Sequence, residues 1–187
     1  MKVIIIDNND SFTYNLARYI MGFNIKLDVI RVSDLTLNHV INYDKILISP
    51  GPGVPHEYPL LFDIIDKYYI NKPILGICLG HQIIGQYFNA ELINLKEVLH
   101  GVKSTVHHYG NCSLFNNVPI NFHVGHYHSW VISDNKLPKC LEITSLNNEN
   151  LIMSFKHKRF DVKGIQFHPE SILTDFGLQI LKNWIDF

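Results

Sequence analysis

Three short apolar runs mark the first half of the chain: Val3 to Ile6, Lys45 to Ile48 and Ile74 to Ile77. They are continuous rather than alternating and rich in β-branched residues. Such runs predict strands buried on both faces, as in a parallel sheet. Between them the period changes. Phe12, Leu16 and Tyr19/Ile20 share one helical face, with Gly22 as a stop. Leu60 to Tyr69 and Leu79 to Phe88 are helical in pattern as well. Ile25 to Ile30 alternates apolar and polar residues, as a less buried strand does, and Ser33 to Ile41 has room for a short helix. Strands alternating with helices predict β-α repeats and a parallel sheet covered on both faces.

The second half has a different rhythm. Lys103 to His107, Phe122 to Ile132, Leu141 to Ser145, Leu151 to Lys156 and Val162 to Phe167 are strand-like. Hairpin turns are expected at Asn147 to Asn150 and Lys158 to Asp161. A closing helix is expected over Ile172 to Ile185, in spite of Gly177. No internal repeat, linker or low-complexity tract interrupts the pattern. Residues 1–187 are therefore expected to form a single domain of the α/β class. It has three layers, a mostly parallel central sheet and a smaller β-rich part in the second half.

Composition narrows the function classes. Hydrophobic residues make up 47% and charged residues 18%, which suits a packed domain and argues against disorder. A net charge of -1 gives no reason to expect nucleic acid or an anionic membrane as partner. No apolar stretch approaches the length of a bilayer span, and the opening run is too short for a signal peptide. Three widely spaced cysteines suggest a reducing compartment rather than a disulfide framework, so cytoplasm is the expected location.

The candidate chemistry lies where apolar runs end. In Pro73-Ile74-Leu75-Gly76-Ile77-Cys78-Leu79-Gly80-His81-Gln82 a strand pattern turns at once into a helical one. This is a nucleophile-elbow arrangement with sulfur in place of a serine oxygen. The glycines leave room for strand and helix to approach, and the N-terminal end of a helix favours thiolate over thiol. The alternative is a buried structural cysteine beside a tight turn. A cysteine nucleophile needs a base, and the base needs an orienting group. Gly164-Ile165-Gln166-Phe167-His168-Pro169-Glu170 offers both, with Pro169 stiffening the strand end that carries them. Taken alone, His168 and Glu170 fit an ordinary exposed strand end equally well. Ser49-Pro50-Gly51-Pro52-Gly53-Val54-Pro55 is a third strand end, irregular by composition. It could bring backbone N–H groups toward a substrate and, with the N–H of Leu79, build an oxyanion hole. All three segments follow predicted strands, where open α/β sheets place their sites.

Gly76 to Gln82 together with Gln166 to Glu170 resembles the class I (triad) glutamine amidotransferases, and the resemblance covers essentially the whole chain. Asp7-Asn8-Asn9-Asp10-Ser11-Phe12-Thr13-Tyr14-Asn15-Leu16, Ser49 to Gly53 and Tyr127-His128-Ser129-Trp130 are similar to one branch. That branch holds the glutaminase subunits of anthranilate synthase and aminodeoxychorismate synthase. The resemblance implies a flavodoxin-like sheet and a catalytic triad of Cys78, His168 and Glu170. It implies that Gly51, Pro52, Gly53, Leu79, Gln82, Ser129 and Trp130 form the oxyanion and glutamine-binding elements. Asp10 and Ser11 are expected to couple the site to a partner, besides capping the helix. Glutamine would be hydrolysed and ammonia passed to a separate chorismate-binding subunit, in tryptophan synthesis first and folate synthesis as the alternative. No cofactor is expected in this chain, and Mg2+ only on the partner. His126 stands where the family often has arginine.

Other residues invite weaker readings. His123, His126 and His128 suggest a metal, but on a strand 126 and 128 share a face and 123 takes the other. No cysteine or carboxylate nearby completes a zinc set, so no metal site is expected. His107-His108 is expected to be a solvated strand end, Cys112 and Cys140 apolar fillers, and His81 a packing or substrate-contact residue. Rival functions are a stand-alone Cys-His-Glu hydrolase such as a γ-glutamyl hydrolase, and a non-catalytic regulatory subunit on the same fold. A nucleotide binder is disfavoured, since no phosphate-cradling glycine loop follows the first strand.

Overall fold

The computed structural model describes residues 1–187. Its strands are β1 (Lys2–Asp7), β2 (Lys26–Arg31), β3 (Lys45–Ile48), β4 (Ile74–Ile77), β5 (Leu92–His108), β6 (Asn121–Ile132), β7 (Leu141–Asn147), β8 (Ile152–His157) and β9 (Val162–Ile165). Its helices are α1 (Thr13–Met21), α2 (Pro59–Tyr68), α3 (Leu79–Tyr87) and α4 (Gly177–Asp186). One sheet takes all nine strands, in the order β2-β1-β3-β4-β9-β8-β7-β5-β6. From β2 to β9 neighbours run parallel; from β9 to β6 they run antiparallel. The β-rich second half is thus a continuation of the same sheet.

Period-two geometry explains the layers. Val3, Ile5, Leu47, Leu75, Ile77 and Ile165 point to one face, where they pack with Leu16 and Ile20 of α1 and Ile180, Leu181 and Trp184 of α4. Ile4, Ile6, Ile46, Ile48 and Ile74 point to the other, with Leu61, Ile64 and Ile65 of α2 and Ile83 and Ile84 of α3. Burial on both faces is what the unbroken apolar runs required. No helix is long and apolar enough to cross a membrane.

Four expectations are corrected. Ser33 to Ile41 holds no α-helix, only 3-10 turns at Val32–Asp34 and His39–Asn42. Only Leu35 and Val40 bury there, and two anchors five apart make no helical stripe. Strand β5 begins at Leu92, well before Lys103. Its first part pairs with β6 alone, with register shifts between Asn94 and Leu99 and between His100 and Val102. Most of its side chains there are exposed, so no apolar pattern announces it. Helix α4 starts at Gly177, not at Ile172. Asp175 N–H donates to the His123 carbonyl, and the segment before it is folded into turns, with Thr174 N–H donating to the Ser171 carbonyl and Phe176 left-handed at φ 58°. A Cβ at position 177 would stand 1.8 Å from the Pro169 carbonyl oxygen, so the glycine admits the helix rather than interrupting it. His108, finally, is not solvated. It is buried, stacked at 4.7 Å on Phe115, with Nε2 3.1 Å from the Val118 carbonyl.

Candidate active site

Strands β4 and β9 lie side by side and parallel, with Ile77 opposite Ile165. Their C-terminal ends therefore reach the same edge of the sheet, and the next residues on each are Cys78 and Gln166. Cys78 N–H donates to the Ile165 carbonyl at 2.9 Å, which locks the two ends together. Cys78 has φ 51° and ψ -102°, a conformation that L residues rarely adopt. It sits at the N-cap of α3. The elbow needs glycine on both sides. A Cβ on Gly76 would lie 2.4 Å from the Gly80 backbone, and one on Gly80 would lie 2.3 Å from the Ile48 carbonyl oxygen.

His168 and Glu170 follow on the β9 side, both buried. His168 Nδ1 lies 2.7 Å from Glu170 Oε1. A carboxylate there accepts the Nδ1 proton, so Nε2 is the nitrogen left for chemistry. Nε2 is buried and makes no hydrogen bond within the chain, and His168 and Cys78 line one cleft. Burial alone would lower the pKa of His168. The Cys78 sulfur nearby and the hydrogen bond to the Glu170 carboxylate override it and hold the imidazole well above its ordinary value. His168 is further fixed by its neighbours. The rings of Phe12 and Tyr127 meet it edge-on at 5.6 and 4.9 Å. Thr174 Oγ1 donates to the His168 carbonyl and accepts from Gly125 N–H.

A cavity of about 200 Å3 opens beside the sulfur. Gly51, Pro52, Gly53, Leu79, Gln82, Ser129 and Trp130, the residues that the family resemblance singles out, all line it. Val98, His100, Tyr127 and His128 also line it, and sequence reasoning did not find them as site residues. Val98 and His100 lie in the irregular part of β5, where no spacing rule points to a site. Tyr127 and His128 belong to the Tyr-His-Ser-Trp motif, which was the available signal. A second opening next to it is bordered by Asp10 and Ser11 with Cys78 and His168. Those two residues do not cap α1 in the expected manner. The N-cap is Phe12, without a side-chain cap bond. Asp10 instead accepts from Phe12 N–H at 2.8 Å, and Thr13 Oγ1 donates to Asp7 at 2.9 Å.

The remaining histidines separate cleanly. His126 Nδ1 lies 3.1 Å from His128 Nε2, and His126 Nε2 lies 2.6 Å from Ser104 Oγ. His123 points away and pairs with Asp175 at 2.9 Å, so the three do not converge. Burial pushes the pKa of His126 down to about 4 and that of His128 to about 3, which keeps both neutral. His81 is fully buried against Phe155, away from the cavity lining, and burial lowers its pKa to about 3. It is a packing residue. Cys112 is buried in the core and burial raises its thiol pKa, which makes it inert.

The family described as glutamine amidotransferase class-I matches residues 4–187. A Haemophilus influenzae protein provisionally named anthranilate synthase component II is 48% identical over 99% of this chain and 96% of its own length. Aminodeoxychorismate synthase component 2 of Klebsiella aerogenes is 41% identical over 98% of this chain and 99% of its own. Among solved structures, one from Thermoplasma acidophilum, provisionally described as a GMP synthase subunit, superposes with a TM-score of 0.90 at 25% identity. It covers 100% of this chain and 92% of that one.

Proposed function

The chain belongs to the class-I glutamine amidotransferase family, and on that premise we propose that it is the glutaminase subunit of a chorismate-using synthase. One observation carries the chemistry: a buried His168–Glu170 pair in the same cleft as a cysteine held at a strained elbow. We treat residues 1–187 as one glutamine amidotransferase domain, which the single continuous sheet supports.

His168 takes the Cys78 proton, and the sulfur attacks the side-chain amide carbon of glutamine. The oxyanion is held by backbone N–H groups at Leu79 and Gly53. The C–N bond breaks as His168 returns its proton to the nitrogen, releasing ammonia and leaving a γ-glutamyl thioester. Water then attacks the thioester, with His168 taking its proton, and glutamate departs as Cys78 is restored. Glu170 keeps the imidazole oriented and balances its positive charge. The cavity is smaller than the roughly 300–1,000 Å3 of drug-sized sites, which suits a single amino acid. Gln82 spends its Nε2 protons on Trp130 and Gln166, so its Oε1 is the group left for the substrate's α-ammonium.

Every step uses side chains, backbone and water, and no cofactor is assigned to this chain; Mg2+ belongs with the partner's chorismate site. Ammonia is passed to that partner, and Asp10 and Ser11 border the mouth where it would dock. Anthranilate is the first product assigned, since the relative of that name shares 48% of residues. The 41% relative supports aminodeoxychorismate as the second reading. Free cysteines support a cytoplasmic setting.

The test is Cys78→Ser in the assembled complex, supplied with chorismate and either glutamine or an ammonium salt. Glutamine-dependent synthesis is expected to vanish and ammonia-dependent synthesis to persist. Surviving glutamine use would remove Cys78 as nucleophile. The aromatic product of the wild-type complex decides between the two synthases.

A further inference from the structure

Gln166 is the residue between strand β9 and the catalytic histidine segment, and its side chain is fully buried. Its Nε2 lies 3.6 Å from Cys78 Sγ. Its Oε1 lies 3.1 Å from Gln82 Nε2, and that same Gln82 nitrogen lies 2.8 Å from the Trp130 carbonyl oxygen. The orientation of both amides follows from this chain of contacts. A backbone carbonyl only accepts, so the end of Gln82 that meets Trp130 must be its nitrogen. The second proton of that nitrogen then requires an oxygen on Gln166. With its oxygen committed to Gln82, Gln166 must turn its N–H toward the sulfur. Flipping the amide would set N–H against N–H and place an oxygen's lone pairs on the sulfur. The backbone holds this arrangement: Gln166 N–H donates to Met153 at 2.8 Å and Cys78 N–H to Ile165 at 2.9 Å.

We propose that Gln166 is a further catalytic residue, whose side-chain amide donates a hydrogen bond to Cys78 Sγ. The sulfur carries negative charge twice in the cycle. It is anionic as it attacks the glutamine amide, and again as the thioester breaks and sulfur becomes the leaving group. A donor fixed at the sulfur before reaction stabilises both without reorganising. Gln82 thereby has two duties, lining the glutamine cavity and aiming the Gln166 amide. The pair links the cavity wall at Trp130 to the nucleophile.

This proposal rests on the reading of Cys78 as nucleophile, and the experiment separates the two. The full-length chain is alkylated with iodoacetamide from acidic to alkaline pH, and the rate of labelling at Cys78 is followed by mass. Cys112 and Cys140 serve as internal references. Gln166→Leu is expected to slow labelling of Cys78 at neutral pH by about 10- to 100-fold. It is also expected to move the pH profile to the alkaline side while leaving the other two thiols unchanged. Gln166→Glu keeps the shape but replaces the donor with an acceptor, and should slow labelling at least as much. It decides the matter if the leucine variant does not fold. Wild-type rates and an unshifted profile in the folded variants would overturn the proposal. If Cys78→Ser instead retains glutaminase activity, the nucleophile reading itself fails, whatever Gln166 does.

Discussion

The parallel part of the sheet and the ribbon made by β5 and β6 contribute to one cleft with opposite physical means. Strands β3 and β4 are buried along their whole length, and β1 over all but its first residue. The β5 segment before Ser104 is mostly exposed, with Val98 at 69% and Ile93 at 40%. The buried strands end in Cys78, Gln166, His168 and Glu170, the groups that must be placed to a fraction of an ångström. The ribbon supplies Val98, His100, Tyr127, His128, Ser129 and Trp130, one wall of the cavity proposed to take glutamine. The proposed bond-making groups all ride on the part with the most packing behind it, whereas the cavity wall is shared between that part, through Gly51, Pro52, Gly53, Leu79 and Gln82, and the ribbon, which has the least.

That division predicts unequal sensitivity. The largest effect is expected at Glu170. Glu170→Gln should lower kcat for glutamine-dependent ammonia release by about a thousand- to ten-thousandfold, by analogy with loss of the orienting acid in a serine triad. Steady-state assay of the complex measures it. A loss below about tenfold would mean that the carboxylate does not orient His168. Next comes stability. Ile48→Ala, in a strand closed on both faces, should cost about 2–5 kcal/mol in urea denaturation. Ile93→Ala, on the ribbon, should stay within about 0.5 kcal/mol. Similar losses at both sites would erase the distinction between the two regions.

The smallest expected effect concerns acid. His81 is buried under the parallel sheet with no hydrogen bond to either nitrogen, and its pKa falls from 6.5 to about 3. An unfolded chain takes up that proton near pH 6.5 and the folded chain does not. Stability is thus full above 6.5 and lost as pH falls toward 3, at about 1.4 kcal/mol per unit. His126 and His128 act in the same direction from the ribbon. His168, whose pKa is raised, acts oppositely: its contribution is present below 6.5 and fades as pH rises through the folded value. His81→Phe should flatten the acid limb of stability between pH 7 and pH 5 relative to the wild type. An unchanged slope would show that His81 is not held neutral by the fold.

Much of the buried region was legible in the chain. The apolar runs at 3–6, 45–48 and 74–77 became strands at nearly those bounds, because burial on both faces leaves no polar position to confuse the pattern. The elbow at Cys78 was legible for a local reason, since Gly76 and Gly80 clear the space the turn needs. The early part of β5 was not, because its exposed side chains impose no period. The true start of α4 was hidden for a different reason. Contacts to Pro169 and His123, far off in sequence or across a turn, hold residues 172–176 out of the helix.

The sequence by itself determined which segments turn, which bury, and that Cys78, His168 and Glu170 stand at strand ends, since each depends on neighbours a few residues away. Only the tertiary structure decided that β4 and β9 are adjacent, 88 residues apart between Cys78 and Gln166. It alone turned the Gln166 amide toward the sulfur, through Gln82 and a carbonyl on β6. An amide's direction is set by whatever it meets, and the contacts that turn Gln166 run through three separate stretches of chain: residues 78–82, Trp130 and Gln166 itself.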